Sequence, residues 1–427
     1  MSLRNKGITM SQLGLAARKA TLQMLHAVLM EKRMLAQIEP YDGLEPDDIA
    51  RAKRLCAEVL RHLGRADALI DRYIERNPPL AVRNVLRLGV VELLIDGSSA
   101  HGVVNSLVTV AKRSARTTRA KGLINAVLRS IAEEGPEIWP DLPPQRMPTW
   151  MRKPLVKSFG AEAVLAIEAA HQAGAKLDLT EKIADSVDLP NAERLPTGSL
   201  RMPMAQITAL PGYDTGDWWV QNAAAALPAR LLGDVAGLRV LDLCAAPGGK
   251  TMQLAAAGAH VTALDISEAR LVRVQENLDR TGLSAKLVCA DVLDWQAEPF
   301  DAVLLDAPCS ATGTIRRHPD LPFVKTAEDA ERLTRLQAQM IDAALGVLKP
   351  GGRMVFCTCS LLANEGENQV KAALKRHEDV TVVDIDPVDF GGTSDWKSPE
   401  GGLRLRPDFW GPEGGLDGFY MAALQKR

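Results

Sequence analysis

Leu238-Arg-Val-Leu-Asp-Leu-Cys-Ala-Ala-Pro-Gly-Gly-Lys-Thr251 is the stretch whose reading decides the fold. Val240 to Leu243 is a short apolar run of buried-strand type. It breaks into Pro247-Gly248-Gly249, and a helix-forming stretch begins at about Lys250. A strand that stops at a glycine-rich turn and re-emerges as a helix is how an open α/β sheet holds a nucleotide-like ligand. Glycines let backbone approach the ligand with no Cβ in the way, and the helix N-terminus offers free N–H groups to an anion. The pattern is not G-x-G-x-x-G, however, and Asp242 stands where a pyrophosphate would be repelled. A ligand carrying an ammonium or sulfonium group suits that carboxylate instead. Taken alone, the segment also fits an ordinary strand–turn–helix of any α/β domain.

Downstream and upstream of it, strand and helix signals alternate. Strands are expected at 239–243, 260–264, 286–289, 301–305, 352–358, 380–384 and 418–424, with helices in the gaps, notably 267–280 and 327–348. This is the pattern of a mostly parallel sheet covered by helices, a Rossmann-like α/β domain over 216–427. The last strand, from Gly418, follows a loop with Pro407, Pro412 and several glycines and no helix, so it should run antiparallel.

The first 135 residues read differently. From Leu13 to about Glu134, apolar residues recur at three- and four-residue spacing, as in Leu55, Val59, Leu60 and Leu63. Breaks at Pro40-Tyr41-Asp42-Gly43, Asn77-Pro78-Pro79 and Asp96-Gly97-Ser98 divide about six or seven helices of an all-α domain. Residues 136–147, within a stretch carrying Pro136, Pro140, Pro143, Pro144 and Pro148, read as a semi-rigid linker. Residues 148–215 read as a small α+β domain, with a helix around Leu155–Ala173 and short strands at Lys176–Thr180 and Ala205–Leu210.

Composition sets bounds. The 427 residues suggest two or three domains, and 46% hydrophobic with 24% charged content is ordinary for a globular protein. No apolar run approaches the roughly 18 residues of a membrane span. Arg4, Lys6, Arg18 and Lys19 precede no apolar signal core, so a cytoplasmic protein is expected. The six cysteines include no Cys-x-x-Cys and the histidines no zinc-finger spacing, so neither a disulfide framework nor a metal site is expected. The net charge of −2 hides an asymmetry: residues 1–135 hold 21 Lys/Arg against 14 Asp/Glu, about +7, and the remainder 30 against 39, about −9. A basic module joined to an acidic one points to a polyanion partner for the first. Lys112, Arg113, Arg116, Arg119 and Lys121, interleaved with Ser114, Thr117 and Thr118 and with no acid among them, fit phosphate contact as well as a solvated face.

Acidic residues end successive strands. Asp265, 16 residues past Gly249, suits the two hydroxyls of a ribose, Asp291 an adenine edge, and Asp306 ends the fourth strand. Each also suits a helix N-cap or turn. Together, beside the glycine turn, they line one crevice.

Two thiols follow neighbouring strands: Asp306-Ala-Pro-Cys309-Ser-Ala-Thr-Gly leaves the fourth and Cys357-Thr-Cys359-Ser leaves the fifth. A disulfide or a metal are alternatives, though the metal lacks further ligands. As a nucleophile, a thiolate added to carbon 6 of a pyrimidine makes carbon 5 carbanion-like and able to accept a methyl group from a sulfonium donor. A base must then take the carbon-5 proton, and an acid such as Asp306 near N3 and the exocyclic amine orients the ring. The base must be unstacked to be attacked, which favours an unpaired loop.

Asp-Leu-Cys-Ala-Ala-Pro-Gly-Gly-Lys-Thr, Asp-Ala-Pro-Cys-Ser-Ala-Thr-Gly and Thr-Cys-Ser followed by Asn364-Glu-Gly-Glu-Asn resemble the signature set of RNA cytosine-5 methyltransferases. The helical N-terminus, with Asn125-Ala-Val-Leu-Arg129, resembles the RNA-binding domain of the antitermination factor NusB. Together they are similar to the bacterial RsmB (Sun/Fmu) type, which methylates a cytosine of small-subunit (16S) ribosomal RNA. The resemblance implies S-adenosylmethionine as cofactor, held by Cys244, Ala245, Ala246, Pro247, Gly248, Gly249, Lys250, Asp265, Asp291 and Asp306. It implies Cys359 as nucleophile and Cys309 as the second cysteine that helps release product. Arg316-Arg317-His-Pro-Asp320 resembles a loop beside the target base, so both arginines join the expected RNA contacts. Ribosomal RNA is the expected partner, at a single-stranded or loop cytosine, with no membrane, no metal and a monomeric enzyme. The likeness departs at Trp219-Val-Gln-Asn222, where Gln-Asp is usual, and at Lys176–Asp185. A DNA cytosine methyltransferase, which uses the Pro-Cys thiol, should lack the Thr-Cys-Ser, and a non-catalytic RNA-binding scaffold has no reason to keep Cys309, Cys359 and Asp306 together.

Overall fold

The computed structural model describes residues 14–39 and 43–427. Arg4, Lys6, Leu13 and the break expected at Pro40-Tyr41-Asp42 lie outside the described residues. The chain divides into two units: residues up to 152 with 317–325, and residues 153–316 with 326–427.

In the first unit the helical spacing becomes α1 (Leu15–Leu29), α2 (Pro46–Arg61), α3 (Leu63–Ile70), α4 (Leu80–Leu94), α5 (Ala100–Lys112) and α6 (Lys121–Ile138). Helix α2 shows why they form. Pro46, Asp47 and Asp48 suit a first turn, and Leu55, Cys56, Val59 and Leu60 make the buried stripe. Not every basic residue here faces solvent: Arg18 Nε donates to the fully buried Glu92 over 2.8 Å, and Arg51 to its other oxygen over 3.1 Å. The proline-rich stretch differs from a spacer. Helix α6 runs through Pro136, and Trp139 and Leu142 pack on the helical core, with the Arg65 guanidinium 4.3 Å from the Trp139 ring centre. Apolar anchoring there outweighs the one helical hydrogen bond Pro136 removes.

The chain continues through α7 (Thr149–Phe159), α8 (Ala161–Ala173), β1 (Leu177–Glu181), β2 (Glu193–Arg194), β3 (Leu200–Met202) and β4 (Trp218–Val220). Next come α9 (Ala223–Arg230), β5 (Arg239–Leu243), α10 (Gly249–Ala256), β6 (His260–Asp265), α11 (Glu268–Thr281), β7 (Lys286–Cys289) and β8 (Phe300–Asp306). The last elements are α12 (Leu321–Val324), α13 (Ala327–Gly346), β9 (Leu348–Thr358), α14 (Glu367–Arg376), β10 (Val380–Val382), β11 (Leu403–Leu405) and β12 (Phe419–Lys426).

The large sheet has the order β10-β12-β9-β8-β5-β6-β7, with β11 on β12. Strands β5 to β9 pair in parallel, and β12 lies antiparallel to β9 as its helix-free approach predicts. Strand β5 is the middle of the five parallel strands, and the order reverses between β5 and β8, so the crevice opens at their C-terminal ends. The expected strands sit within a few residues of their observed bounds, and β11 is an additional three-residue strand.

The 148–215 segment departs more. The expected single helix is broken at Gly160, where φ is +85°, and Ala205–Leu210 is not a strand but holds a short 3-10 turn. The second strand of that sheet is Leu200–Met202, in the order β2-β3-β1-β4. Its hub is Asp178, which takes Arg201 through both oxygens at 2.6 and 2.8 Å with both side chains 1% exposed. Asn222 donates to the same carboxylate over 2.9 Å and caps α9 by accepting the Ala224 N–H. The two departures from the usual pattern thus meet in one hydrogen-bonded cluster.

Candidate active site

Strand β5 ends in a backbone built for close approach. Cys244 has φ +61°, Gly248 has φ +100°, and a Cβ on Gly248 would press on Val274 at 3.0 Å. The turn is tied back by Ala245 N–H to Leu264 O over 3.0 Å, and α10 starts directly behind it. Beneath it Asp242 is fully buried. Its Oδ2 accepts the Thr251 hydroxyl at 2.5 Å, while Oδ1 has no partner. Burial pushes this carboxyl up to about 7.

The acids at successive strand ends differ in state. Asp265, 1% exposed, accepts the Ala246 N–H at 3.2 Å and the Ser267 N–H at 3.0 Å, and Arg270 closes on it at 3.2 Å. Arg270 also donates to Ala246 O over 2.6 Å, so one guanidinium links the glycine turn to β6; nothing in the spacing marked it. Asp291 is exposed, and its Oδ1 accepts the Leu293 N–H at 2.9 Å, a turn-forming role. Asp306 Oδ2 takes the Lys250 ammonium at 2.7 Å, and Oδ1 takes the Cys357 thiol at 3.5 Å. Desolvation by burial works against the charged Lys250, but Asp306, Cys357 and Asp242 together outweigh it and raise the ammonium well above the usual lysine range.

Parallel pairing of β8 and β9 puts Asp306 opposite Cys357, so the thiols just beyond both strands converge. The Cys309 and Cys359 sulfurs lie 3.5 Å apart, both half-buried. The Cys359 sulfur, then burial, holds the Cys309 thiol well above the ordinary range. Cys357 is buried, and desolvation raises it too. Gly313, in the loop after Cys309, donates to Cys359 O over 2.9 Å. A Cβ on Gly313 would lie 1.9 Å from Gly418 O, so only glycine fits.

The expected RNA contacts divide. Lys112, Arg113, Arg116, Arg119 and Lys121 are all exposed. Arg113 and Arg116 join Lys19, His26 and Arg33 around a cavity of about 670 Å³ in the helical unit, a grouping distant in sequence and invisible to it. Arg317 is exposed. Arg316 is 1% exposed, and its guanidinium donates to the carbonyls of Gly174, Leu416 and Gly414 at 3.2, 2.7 and 2.9 Å, so it is spent inside the fold rather than presented to RNA. Residues 317–325 pack with the helical unit, where Asp320 accepts the Leu35 N–H at 2.7 Å. Among the described residues, no helix is long and apolar enough to cross a membrane, and no cluster of three or more ligating side chains could hold a metal.

Residues 229–425 match the family model described as 16S rRNA methyltransferase RsmB/F, and residues 15–133 match the NusB family. Ribosomal RNA small subunit methyltransferase B of Vibrio cholerae is 34% identical, over 90% of this chain and 91% of that protein. The protein of that name from Pseudomonas putida is 35% identical, over 96% and 98%. Among solved structures, PH0851 superposes with TM-score 0.72 at 21% identity, covering 99% of this chain and all of that one, which speaks to the fold. A methyltransferase homolog protein from Pyrococcus horikoshii gives TM-score 0.54 at 26% identity, covering 64% of this chain and 94% of that one. With Lys250 of the glycine turn paired to Asp306 and the two thiols converging just beyond β8 and β9, the chain belongs to the RsmB/F family of 16S rRNA methyltransferases, an S-adenosylmethionine-dependent RNA methyltransferase with a NusB-family region at its N-terminal side.

Proposed function

We propose that this enzyme methylates carbon 5 of an unpaired cytosine in small-subunit (16S) ribosomal RNA, through a covalent bond between Cys359 and carbon 6, released with help from Cys309. The observation that carries the reading is the pair of sulfurs 3.5 Å apart just beyond the ends of neighbouring parallel strands, where Asp306 stands opposite Cys357.

The crevice fits the cofactor. Asp242 Oδ1 is a buried oxygen with no partner under the glycine turn, where a cationic ligand is favoured. Cys244 to Lys250 would hold the methionine part, Asp265 the ribose and Asp291 the adenine edge. When bound, S-adenosylmethionine supplies a methyl group activated by a sulfonium leaving group. The rest falls to the chain's own residues. The Cys309 and Cys359 sulfurs lie within S–H···S reach, and either can donate to the other. Cys359 bonds to carbon 6, and the C5–C6 electron pair moves to carbon 5, which accepts the methyl group. Asp306 accepts from the exocyclic amine and fixes the ring, while Lys250 keeps its carboxylate in place. Loss of the carbon-5 proton to a base returns the electron pair and expels Cys359 as thiolate. Cys309, released from its contact with Cys359 once that sulfur is bonded to carbon, stands beside the adduct for this step.

The test uses methyl-tritiated cofactor and unmethylated small-subunit RNA. Cys359→Ala should abolish transfer, and Cys309→Ala should accumulate a protein–RNA adduct stable in denaturing gels. Reversed outcomes would overturn the assignment of nucleophile. Label appearing anywhere but carbon 5 of cytosine would overturn the reaction.

A further inference from the structure

The residues that follow the two thiols share a buried carboxylate. Glu365 ends a one-turn 3-10 helix, Ala363–Glu365, and is fully buried. Burying a carboxyl group without donors costs several kcal/mol, so its partners matter. They come from both cysteine loops. The Ser310 N–H donates to Oε1 at 2.9 Å and the Ser310 hydroxyl to Oε2. The Ser360 hydroxyl donates to Oε2 at 2.6 Å. Gln337 of α13 donates to Oε1 over 3.4 Å and to Pro308 O over 2.8 Å, gripping the first loop a second time. Ser310 follows Cys309 and Ser360 follows Cys359, so one carboxylate ties the residues next to both sulfurs. Thr312, from the first loop, extends the bridge by accepting the Leu361 N–H at 2.9 Å. Arg404 supports it from behind, donating to Ser360 O while held by Glu367 at 2.7 and 2.9 Å.

We propose that Glu365 is a positioning residue that holds the Cys309 and Cys359 loops in register, and that its effect is felt most in release of the methylated product. The inference rests on the two-thiol reading above. Before attack, the S–H···S contact itself helps to hold the loops together. Once Cys359 is bonded to carbon 6 that contact is lost, and the Ser310–Glu365–Ser360 bridge is left to keep Cys309 beside the adduct. A displacement of the order of 1 Å in a catalytic group can lower a rate about 100-fold, so a loosened bridge should stall the adduct. The carboxylate is suited to the role because it accepts from several donors at once, whereas an amide in its place turns one acceptor into a donor facing the serine hydroxyls.

The experiment compares wild type, Cys309→Ala, Glu365→Gln and Ser360→Ala in the full-length enzyme. It measures multiple-turnover methyl transfer, denaturation-resistant protein–RNA adduct, cofactor affinity and melting temperature. Glu365→Gln should lower turnover about 10- to 100-fold, accumulate adduct as Cys309→Ala does, and leave cofactor affinity within about twofold of wild type. Ser360→Ala removes one leg with little volume change and should do the same more weakly; it keeps the test informative if Glu365→Gln does not fold. In the double variant Cys309→Ala/Glu365→Gln, adduct should decay no more slowly than in Cys309→Ala alone, because both changes act on the same step. Turnover lost without adduct, or wild-type turnover in Glu365→Gln and Ser360→Ala, would overturn the positioning role while the Cys309→Ala adduct still upholds the two-thiol chemistry. Absence of adduct in Cys309→Ala itself would instead remove the reading on which the inference stands.

Discussion

Asp242 and Arg316 show how far a residue's role depends on where the fold puts it. An aspartate beside a glycine turn invites a ligand contact, and Asp242 offers its unpartnered oxygen from an enclosed position that raises its carboxyl to about 7 from an ordinary 3.8. Between those values the unfolded chain has released the proton while the folded chain keeps it. Stability from this group is therefore full below about pH 4 and is lost as pH rises toward 7, by at most about 4 kcal/mol. Asp242→Asn should flatten that slope, read as denaturation midpoints from pH 4 to 8 beside wild type; an unchanged slope would assign the ionisation elsewhere. Arg316 lies in a motif expected to meet RNA, yet serves three carbonyls. Arg316→Ala should destabilise by about 3 kcal/mol in chemical denaturation, since it leaves buried acceptors unpaired.

At the level of elements, the site depends on where strands end and how the following loops cross. Strands β8 and β9 stop in register, Asp306 beside Cys357, and the loops that follow are locked where Gly313 meets Gly418 at the start of β12. Gly313→Ala should push that contact apart. It should cost about 3 kcal/mol, the scale of an overpacked interior, and lower methyl transfer with it; unchanged melting and activity would show the backbone yields there. The small sheet is pinned in the same manner by Asp178. Breaking its ion pair with Arg201→Met should cost about 3–5 kcal/mol in denaturation midpoint, because an uncompensated buried charge remains.

At the scale of the whole molecule, charge is partitioned by unit. Of the exposed bases of the helical unit, Arg113 and Arg116 line one cavity with Lys19 and Arg33, beside Glu31 and Glu39, whereas the residues beyond 135 carry the excess acid. If Arg113 and Arg116 each contact one phosphate, Arg113→Glu/Arg116→Glu in the full-length chain should weaken binding to small-subunit RNA. It should also make the slope of log affinity against log salt shallower by about 2. Methyl transfer at saturating RNA should persist. An unaltered salt slope would remove these two residues from the interface.

Periodicity and motif spacing were enough to read the α/β sheet, its antiparallel last strand, the helical first unit and the convergence of Cys309 with Cys359. These follow from local rules: a two-residue strand repeat, a helical stripe, and parallel neighbours that bring consecutive loop motifs to one edge. The 148–215 segment was misread in part because its strands are too short to show a period, and their pairing depends on one buried ion pair between distant residues. Burial was likewise beyond the sequence. It turned Arg316 inward, raised Asp242, and made Glu365 the common partner of two loops 50 residues apart, measured between Ser310 and Ser360. The cost of leaving a polar group unpaired arises only once water has been excluded, so tertiary packing decided which charged residues face a substrate and which hold the site together.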